Sequence, residues 1–398
     1  MNLTKEQACK FILSRHGLVG KPIFKGKDGC MSFFHRVCCV QYDPVDVCGR
    51  NADIVLNSRV EGYKKEYLYA LLYQDRKLID CFDKNLAISP IENFSILRNE
   101  RLNSGDAGAY ERNVTDAVKG AMPHIRRLIK ERGHISSKEV DMGEKIPWFW
   151  GHQTSLSRAA LEYMYFSGEL VVHHKKGTNK SYALTEDYIP AEILNISMPF
   201  ANEEERLAWH VKRRISGVGM LWNRASDAFL GLRLKSTQRG LAFAKLLKDG
   251  EIFEINVEGL KDSLYICEDE RNTLESILSG PSKGTSDASR TEFIAPLDSL
   301  MWDRKLIYAL FGFEYKWEIY TPKVKRKYGP YTLPILHQGE FMGRIDVSRK
   351  GRELIVNNIW MENNLPLTGD VKTAIDACIQ RFAAFNGCQG ESIYATKS

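Results

Sequence analysis

The chain has 398 residues, of which 43 % are hydrophobic and 27 % are charged, and its formal net charge at pH 7 is +6. These values are typical of a folded globular protein, and the length predicts two to four domains. No apolar run approaches the roughly 20 residues that a membrane-spanning helix needs. The charged N-terminal segment also lacks the apolar block of a signal peptide. We therefore expect a cytoplasmic protein with no membrane partner.

The nine cysteines and nine histidines show no spacing that is typical of a metal site. Most cysteines have apolar neighbours, so we expect them to be reduced and buried. His173 and His174 are adjacent in the sequence, and adjacent side chains on a strand face opposite sides of it. We therefore expect neither a metal site nor a cofactor.

The first segment of the chain begins with a helix signal, since Thr4 and Gln7 have capping-box spacing. An apolar run further on ends in Gln41 and Asp43, which would share one face of an extended strand. That arrangement predicts either a turn, which an Asp-Pro pair favours by itself, or a small polar site. The stretch KKEYLYALLYQDRKLIDCFDKNLAIS (64–89) then predicts a helix followed by a hairpin.

The second segment repeats this order of elements. Residues 117–133 predict a helix with an apolar stripe that ends at a glycine. Ser136 and Glu139 have capping-box spacing, which predicts a short second helix. Residues 154–168 predict a third helix and residues 169–184 a hairpin. Three helices followed by a hairpin are the elements of a winged helix.

The third segment has the same elements. Asn202 and Glu205 predict the start of one helix, and Ser236 predicts the start of another, which precedes a hairpin. In all three segments the helix-to-hairpin junction combines a polar turn with an apolar strand start, as in DRKLID (75–80), SGELVV (167–172) and DGEIFE (249–254). Repeats of this length indicate tandem domains.

The last segment differs in composition. After a Ser- and Gly-rich loop at 281–290, short strands dominate, including WEIYTP (317–322), with hairpin turns at HQGE (337–340) and SRKGRE (348–353). Residues 371–387 predict a late helix. The sequence thus predicts an α+β protein with three tandem winged-helix domains and a small C-terminal β-barrel-like domain with a late helix. The expected boundaries are 1–110, 111–200, 201–280 and 291–398.

Tandem winged helices and a basic charge balance predict nucleic-acid binding. Winged helices that only pack together or bind another protein are the alternative. Arg158 lies at a recognition-helix position, and Lys175 and Lys176 lie in a basic hairpin. The run KVKRK offers the further phosphate contacts Lys323, Lys325 and Arg326, although such a run can also be a solvated strand edge. We expect DNA affinity to fall steeply with salt.

Three stretches resemble the YcaQ/AlkZ superfamily of bacterial winged-helix DNA glycosylases. They are QYDPVDVCGRNADIVLNSRV (41–60), WFWGH (148–152) and a dense match over 296–347. The resemblance covers nearly the whole chain, and the predicted domain order matches too. It implies a nucleoid-associated DNA repair enzyme that hydrolyses the N-glycosidic bond of N7-alkylated purines in double-stranded DNA, including guanines joined in interstrand cross-links. It also implies a set of site residues: Gln41 and Asp43 as the catalytic pair, and Arg50, Arg59 and Tyr328 as DNA contacts.

The chemistry is consistent with these residue types. An N7-alkylated guanine is cationic and leaves readily, so the enzyme has to stabilise an oxocarbenium-like sugar and direct a water molecule. The Asp43 carboxylate can do both while Gln41 holds the water. No lysine is suitably placed for a Schiff base, so we expect a monofunctional glycosylase, and a monomer suffices. Because a cross-linked guanine is tethered to the opposite strand, we expect an open basic cleft instead of a deep base pocket.

The resemblance has one departure. Lys84 and Asn85 stand where family members often carry a His-Glu pair, which leaves the substrate range and the natural lesion open. The main alternative from another class is a non-enzymatic winged-helix regulator that only binds DNA.

Overall fold

A computed structural model describes residues 1–102, 114–140, 142–149, 152–232, 234–279, 290–364, 367, 369–388 and 393–394. Residue contacts divide the chain into two compact units. Unit 1 comprises Met1–Tyr67 and Phe200–Ser398, and unit 2 comprises Leu68–Pro199. The described residues form a mixed α+β fold with 13 helices and several sheets, which confirms the predicted class. In the described part of the chain, no helix is long and apolar enough to cross a membrane.

The helices and strands follow one another along the whole chain. The described helices are α1 (Lys5–Arg15), α2 (Gly26–Val37), α3 (Asn51–Asn57), α4 (Lys65–Tyr73), α5 (Phe94–Leu102), α6 (Asp116–Arg132), α7 (Leu156–Phe166), α8 (Ala191–Leu194), α9 (Glu203–Val218), α10 (Ser236–Lys248), α11 (Arg271–Ser279), α12 (Arg304–Phe311) and α13 (Gly369–Phe385). The described strands are β1 (Asn2–Leu3), β2 (Phe24–Lys25), β3 (Val40–Gln41), β4 (Val60–Glu61), β5 (Leu78–Asp83), β6 (Asn85–Pro90), β7 (Ile135–Ser136), β8 (Lys145–Pro147), β9 (Gln153–Ser155), β10 (Leu170–Lys176), β11 (Asn179–Leu184), β12 (Leu221–Trp222), β13 (Ile252–Val257), β14 (Leu264–Cys267), β15 (Thr291–Phe293), β16 (Thr332–His337), β17 (Glu340–Lys350), β18 (Glu353–Met361) and β19 (Ile393–Tyr394).

The predicted helix starts in unit 1 are confirmed. Thr4 Oγ1 accepts a hydrogen bond from the Gln7 backbone N–H at 3.1 Å, and the Gln7 side chain accepts one from the Thr4 N–H at 2.9 Å. Asn202 caps α9 with its Oδ1, which accepts from the Glu205 N–H at 3.0 Å, while the Glu205 side chain accepts from the Ala201 N–H at 2.8 Å. These caps pair N–H groups that the first turn of a helix cannot pair internally.

Unit 1 joins the first and third predicted segments through one sheet. Its strand order is β1-β13-β14-β12, and β1 runs parallel to β13 with Asn2 opposite Asn256. Arg15 of α1 is buried and forms an ion pair with Glu270 at 2.8 Å. It also donates to Ser216 Oγ at 3.0 Å. Segments more than 200 residues apart in sequence therefore share one core. The four predicted domains and their boundaries stay a prediction.

The C-terminal part of unit 1 contains a five-stranded sheet in the order β15-β16-β17-β18-β19. The predicted turns are confirmed, because Gln338 and Gly339 connect β16 to β17 and Gly351 lies between β17 and β18. All three residues have positive φ angles. The late helix is α13. The predicted strand at 317–322 is wrong, since this segment contains no strand and Lys323–Lys325 form a 3-10 turn. Apart from Arg290, the predicted loop at 281–290 lies outside the described residues.

Unit 2 has a core between α6, α7 and the sheet β10-β11-β7. The predicted helix at 117–133 is α6, whose Ile125 and Ile129 are buried in this core. The predicted short helix after Ser136 is wrong, because Ser136 belongs to strand β7 and pairs with β11. The Glu139 side chain still bonds to Ser136 as the spacing indicates, with its Oε2 accepting from the Ser136 N–H at 2.7 Å. This bond closes a turn and does not begin a helix.

Strand β10 contains a β-bulge that corrects another expectation. Its register runs from Val172 opposite Tyr182 directly to His174 opposite Ser181, so the bulge adds His173 to this strand. A bulge interrupts the alternation of side chains and re-aims them. His173 and His174 therefore do not point apart, and their Nδ1 atoms lie 2.8 Å from each other.

Candidate active site

Gln41 and Asp43 lie at the end of β3 and in the turn that follows it. Gln41 is 7 % exposed, whereas Asp43 is half-buried. Asp43 Oδ1 accepts a hydrogen bond from the Val45 N–H at 2.8 Å, so the turn that Asp-Pro favours is present. Asp46 forms a second such contact, with its Oδ1 accepting from the Gly49 N–H at 3.1 Å. We call residues 43–49 the aspartate loop.

The Asp43 carboxylate is held through one of its two oxygens. Within the part of the chain that the structure describes, Oδ1 accepts from the Val45 N–H and Oδ2 accepts from no protein group. Burial raises the pKa of Asp43, and the bond from Val45 offsets part of this rise. A carboxylate that is fixed but incompletely solvated is a stronger base than an ordinary aspartate. Asp43 therefore has the properties of a group that accepts a proton from water.

Two elements of the C-terminal part of unit 1 hold the aspartate loop. Asn386, just beyond α13, donates its Nδ2–H to the Cys48 carbonyl at 2.9 Å. Arg349 of β17 donates its backbone N–H to the Val47 carbonyl at 3.1 Å, and its guanidinium lies 3.7 Å from Asp46 Oδ2. The backbone of the loop is thus fixed by groups that lie about 300 residues away in sequence.

Asn51 fixes the position of Gln41. Its fully buried side chain donates Nδ2–H to the Gln41 carbonyl at 2.8 Å, and its Oδ1 accepts from the Leu297 N–H at 3.0 Å. An asparagine amide is suited to this task because it donates and accepts at once. Asn51 lies within the stretch 41–60 that carries the family resemblance, but no role for it was predicted from the sequence.

Tyr331 and Asp346 lie beside the aspartate loop, and no function was predicted for either from the sequence. Burial raises the pKa of Tyr331, and charges that include those of Asp43 and Asp46 raise it further. Asp346 lies against Gly329, where an added Cβ would be only 2.9 Å from Asp346 Oδ2. Among the described residues, the carboxylates of Asp43, Asp46 and Asp346 do not come together as a group of metal ligands.

Arg59 is not available to DNA, so its prediction as a DNA contact is wrong. Its side chain is 0 % exposed and forms an ion pair at 2.7 Å with Asp298, which is equally buried. It also donates to the Val55 carbonyl at 2.9 Å and lies over the Phe33 ring. Burial lowers the pKa of Arg59 and the Asp298 carboxylate opposes this shift. Arg59 therefore stabilises unit 1. Arg50, at the start of α3, is half-buried.

Residues 320–328 form a loop rich in cations, which we call the basic loop. Lys323 and Lys325 are exposed on it. Arg326 is half-buried and donates its Nε–H to the Thr321 carbonyl at 2.8 Å, so this side chain shapes the loop from inside. Tyr328 is half-buried beneath the Arg344 guanidinium, whose carbon lies 4.0 Å from the ring centroid.

Glu318 organises the basic loop. Its buried carboxylate accepts hydrogen bonds from the backbone N–H groups of Lys327 (2.9 Å), Tyr328 (2.9 Å) and Gly329 (3.1 Å). Burial alone would raise the pKa of Glu318, but the three donors outweigh it, and the pKa is lowered. With Glu318 bonded to the loop backbone, segment 317–322 does not form the predicted strand.

The basic loop also exposes apolar surface. Tyr320 is 81 % exposed and Val324 is 91 % exposed. Apolar side chains that are exposed together in one short loop are a feature of interaction surfaces. Their position between lysines fits a partner that offers both phosphates and flat apolar surfaces.

Unit 2 contains the other predicted DNA contacts. Arg158, in the first turn of α7, is exposed and forms an ion pair with Glu162 at 2.9 Å. Lys176 is exposed on β10. The prediction that Lys175 contacts DNA is wrong, because Lys175 forms a buried ion pair with Asp80 in which the side chains are only 5 % and 6 % exposed. An ammonium group that is desolvated and paired in this way does not reach a phosphate.

Comparison with known proteins identifies the family. The model of the family described as "DNA glycosylase AlkZ-like" matches residues 34–385. The chain belongs to this family. Among solved structures, the AlkZ-like chain is similar to the Streptomyces sahachiroi DNA glycosylase AlkZ, with a TM-score of 0.62 at 15 % identity, over 99 % of this chain and 100 % of that one. At this identity the structural likeness shows the fold alone. The family confirms the resemblance found in the sequence and supports a DNA glycosylase as the coarse function.

Proposed function

We propose that the chain is a monofunctional DNA glycosylase that hydrolyses the N-glycosidic bond of N7-alkylated purines, including guanines in interstrand cross-links. The observation that carries the proposal is the half-buried Asp43 carboxylate, which has a raised pKa and one oxygen held by the Val45 N–H. It lies in the aspartate loop, within the region that the family model matches. Asp43 and Gln41 are the catalytic pair in this proposal.

The substrate supplies much of the driving force. Alkylation at N7 places a positive charge on guanine, so the base leaves without much help from a general acid. The reaction then depends on stabilising the cationic sugar and on directing a water molecule to it. Asp43 Oδ2 provides the negative charge and accepts the proton of this water. One preorganised contact of this kind typically contributes about 2.7–4 kcal/mol to transition-state stabilisation.

Gln41 orients the water in this proposal. Its backbone is fixed through the Asn51 side chain, and it precedes Asp43 by two residues in a segment that begins as a strand. A carboxamide both donates and accepts hydrogen bonds, so it can hold a water molecule in one orientation. Asn51 acts as a positioning residue because it contacts Gln41 and not the DNA.

The basic loop grips DNA near the reaction site. Lys323 and Lys325 contact phosphates, which makes affinity salt-dependent, while Tyr320 and Val324 pack against sugars or unstacked bases. The charge of Asp43 acts on Tyr331, which follows the basic loop in sequence, and this supports a position of the loop close to the aspartate loop. Cations outside the basic loop complete the proposed contact set, namely the half-buried Arg50 and the exposed Arg158 and Lys176.

The element order supports the finer description of the fold. The helices α4, α7 and α10 each lead into a hairpin, formed by β5-β6, β10-β11 and β13-β14. We propose that these are three winged helices and that the five-stranded sheet curls into a small barrel. We also propose an open basic cleft, because a tethered guanine cannot swing fully into a deep pocket.

The test is a base-release assay on duplex DNA treated with a methylating agent, with untreated duplex as the control. We expect mass spectrometry to detect free 7-methylguanine, and we expect the DNA strand to break only after heating in alkali. A duplex joined by a guanine–guanine mustard cross-link should separate into single strands on a denaturing gel without alkaline treatment, because release of one joined guanine from its sugar disconnects the two strands. Tight DNA binding without base release would support a non-enzymatic regulator instead, and strand cleavage without alkali would contradict the monofunctional assignment.

A further inference from the structure

Three histidines of unit 2 come together around one point. His134, His173 and His174 each offer a ring nitrogen, and these nitrogens all lie within 4.8 Å of one another. The His134 ring stacks on the His173 ring with 4.2 Å between centroids, and the His173 and His174 Nδ1 atoms are 2.8 Å apart. In the described part of the chain, no other group of three histidine, cysteine or acidic side chains could hold a metal ion.

Two local features aim these rings at one another. His134 lies between α6 and β7, and the bulge in β10 brings His173 to the same side as His174. Arg76 fixes the bulge, since its guanidinium donates to the carbonyls of Val172 at 2.9 Å and His173 at 3.0 Å. Because Arg76 holds the bulge through two hydrogen bonds, the bulge is a fixed feature of this strand.

The arrangement fits a tetrahedral transition-metal ion. Zinc binds histidine nitrogens at about 2.0–2.1 Å, which places the nitrogens about 3.3–3.4 Å apart in a tetrahedral site. The ring nitrogens of the three histidines lie within 4.8 Å of one another and those of His173 and His174 are 2.8 Å apart, so ring rotations can bring them to this spacing. Ser181 Oγ lies 3.4 Å from His134 Nδ1, which leaves the Nε2 of that ring as the ligand atom. Metal-binding histidines usually have such a partner on the other nitrogen.

We propose that His134, His173 and His174 bind a divalent transition-metal ion of the zinc class, with a fourth position open to water. The three rings are half-buried, so an ion reaches them from solvent. The ion would tie the segment before β7 to the bulge of β10 and thereby fix the hairpin β10-β11, whose tip carries Lys176. Its role is structural, and it takes no part in the proposed base release.

The test uses the full chain without a polyhistidine tag, because such a tag binds the same ions. After treatment with a chelator, the wild type is titrated with Zn²⁺ in a calorimeter. We expect one ion per chain with a dissociation constant at or below about 1 μM and a higher thermal midpoint in the presence of Zn²⁺. Co²⁺ should give the visible absorption bands of a tetrahedral site with nitrogen ligands.

The variants His134→Ala, His173→Ala and His174→Ala are each expected to weaken Zn²⁺ binding at least about tenfold. His152→Ala is the matched control, since His152 belongs to unit 2 but lies outside the cluster, and its binding should equal that of the wild type. Should a cluster variant fail to fold, the Co²⁺ spectrum of the wild type still decides the question. No stoichiometric binding in the wild type, or equal binding in wild type and cluster variants, would overturn the proposal and leave a hydrogen-bonded histidine pair.

Discussion

The two loops of unit 1 are held in opposite ways. The backbone of the aspartate loop is bonded from outside, by Asn386 and by Arg349, and its key carboxylate is half-buried. The basic loop is held from inside by the Glu318 carboxylate and the Arg326 guanidinium, while Lys323 and Val324 are exposed to solvent. In the proposed function, the chemistry that depends on geometry thus lies in a segment braced from outside, whereas the contacts that must adapt to DNA are exposed side chains of the basic loop.

Breaking the buried ion pair between Arg59 and Asp298 tests how much this pair contributes to the stability of unit 1. Asp298→Ala leaves the Arg59 guanidinium buried and unpaired. A change of this kind typically costs about 3–5 kcal/mol. We expect the free energy of unfolding to fall by this amount in urea denaturation.

Glu61→Ala is the control for this variant. It removes an exposed ion pair of the same type, with Lys25, in which the side chains are 53 % and 72 % exposed. The expected loss is below about 1 kcal/mol. Equal losses in the free energy of unfolding for the two variants would contradict the conclusion that the ion pair of Arg59 stabilises unit 1.

Loosening the attachment of Gln41 gives the next largest expected effect. Asn51→Ala leaves the Gln41 carbonyl and the Leu297 N–H without their buried partner, which typically costs about 1–3 kcal/mol. Because the proposed role of Asn51 is to position Gln41, we expect kcat for base release to fall while KM for alkylated DNA stays close to that of the wild type. A change confined to KM, or a loss of stability with kcat intact, would contradict the positioning role.

Neutralising the acid beneath the basic loop gives the smallest expected effect. Glu318→Gln keeps the shape of the side chain but weakens the hydrogen bonds to Lys327, Tyr328 and Gly329, at a cost of about 1 kcal/mol. We expect a modest loss of DNA affinity and an unchanged rate of base release from saturated enzyme.

The pH dependence of stability provides a second readout for Glu318. Its pKa is lowered in the folded protein. Its contribution to stability is therefore full above the unfolded pKa of about 4.3 and is lost as the pH falls through the folded pKa. Glu318→Gln should lose less stability over this acid range than the wild type, and identical acid profiles would contradict the role of the carboxylate.

The sequence predicted the features that depend on neighbouring residues. The cap at Thr4, the turn at Asp43 and the turn at Gly339 follow from local backbone chemistry. The errors involve partners that are distant in sequence. Arg59 and Lys175 look like DNA contacts until Asp298 and Asp80 are found beside them.

Backbone irregularities were equally hidden from the sequence. The bulge that turns His173 towards His174 depends on the pairing of β10 with β11 and on Arg76. The loop after Trp317 depends on the burial of Glu318. The role of Asn51 depends on its contact with Leu297, which lies 246 residues away in the sequence. Periodicity and capping rules do not contain this information.

The most direct test of the account compares two carboxylates of the same loop under single-turnover conditions. In Asp43→Asn and Asp46→Asn the new Oδ1 can keep the bond to Val45 N–H or Gly49 N–H. Because burial raises the folded pKa of Asp43, its charge costs stability above that pKa, and the cost vanishes as the pH falls below the unfolded pKa. Asp43→Asn should therefore be at least as stable as the wild type at neutral pH.

We expect Asp43→Asn to release 7-methylguanine about 100- to 1,000-fold more slowly than the wild type while it binds alkylated DNA with similar affinity. Asp46→Asn should release the base at close to the wild-type rate. Wild-type release by Asp43→Asn, or a loss confined to Asp46→Asn, would contradict the assignment of Asp43 as the group that acts on water and sugar.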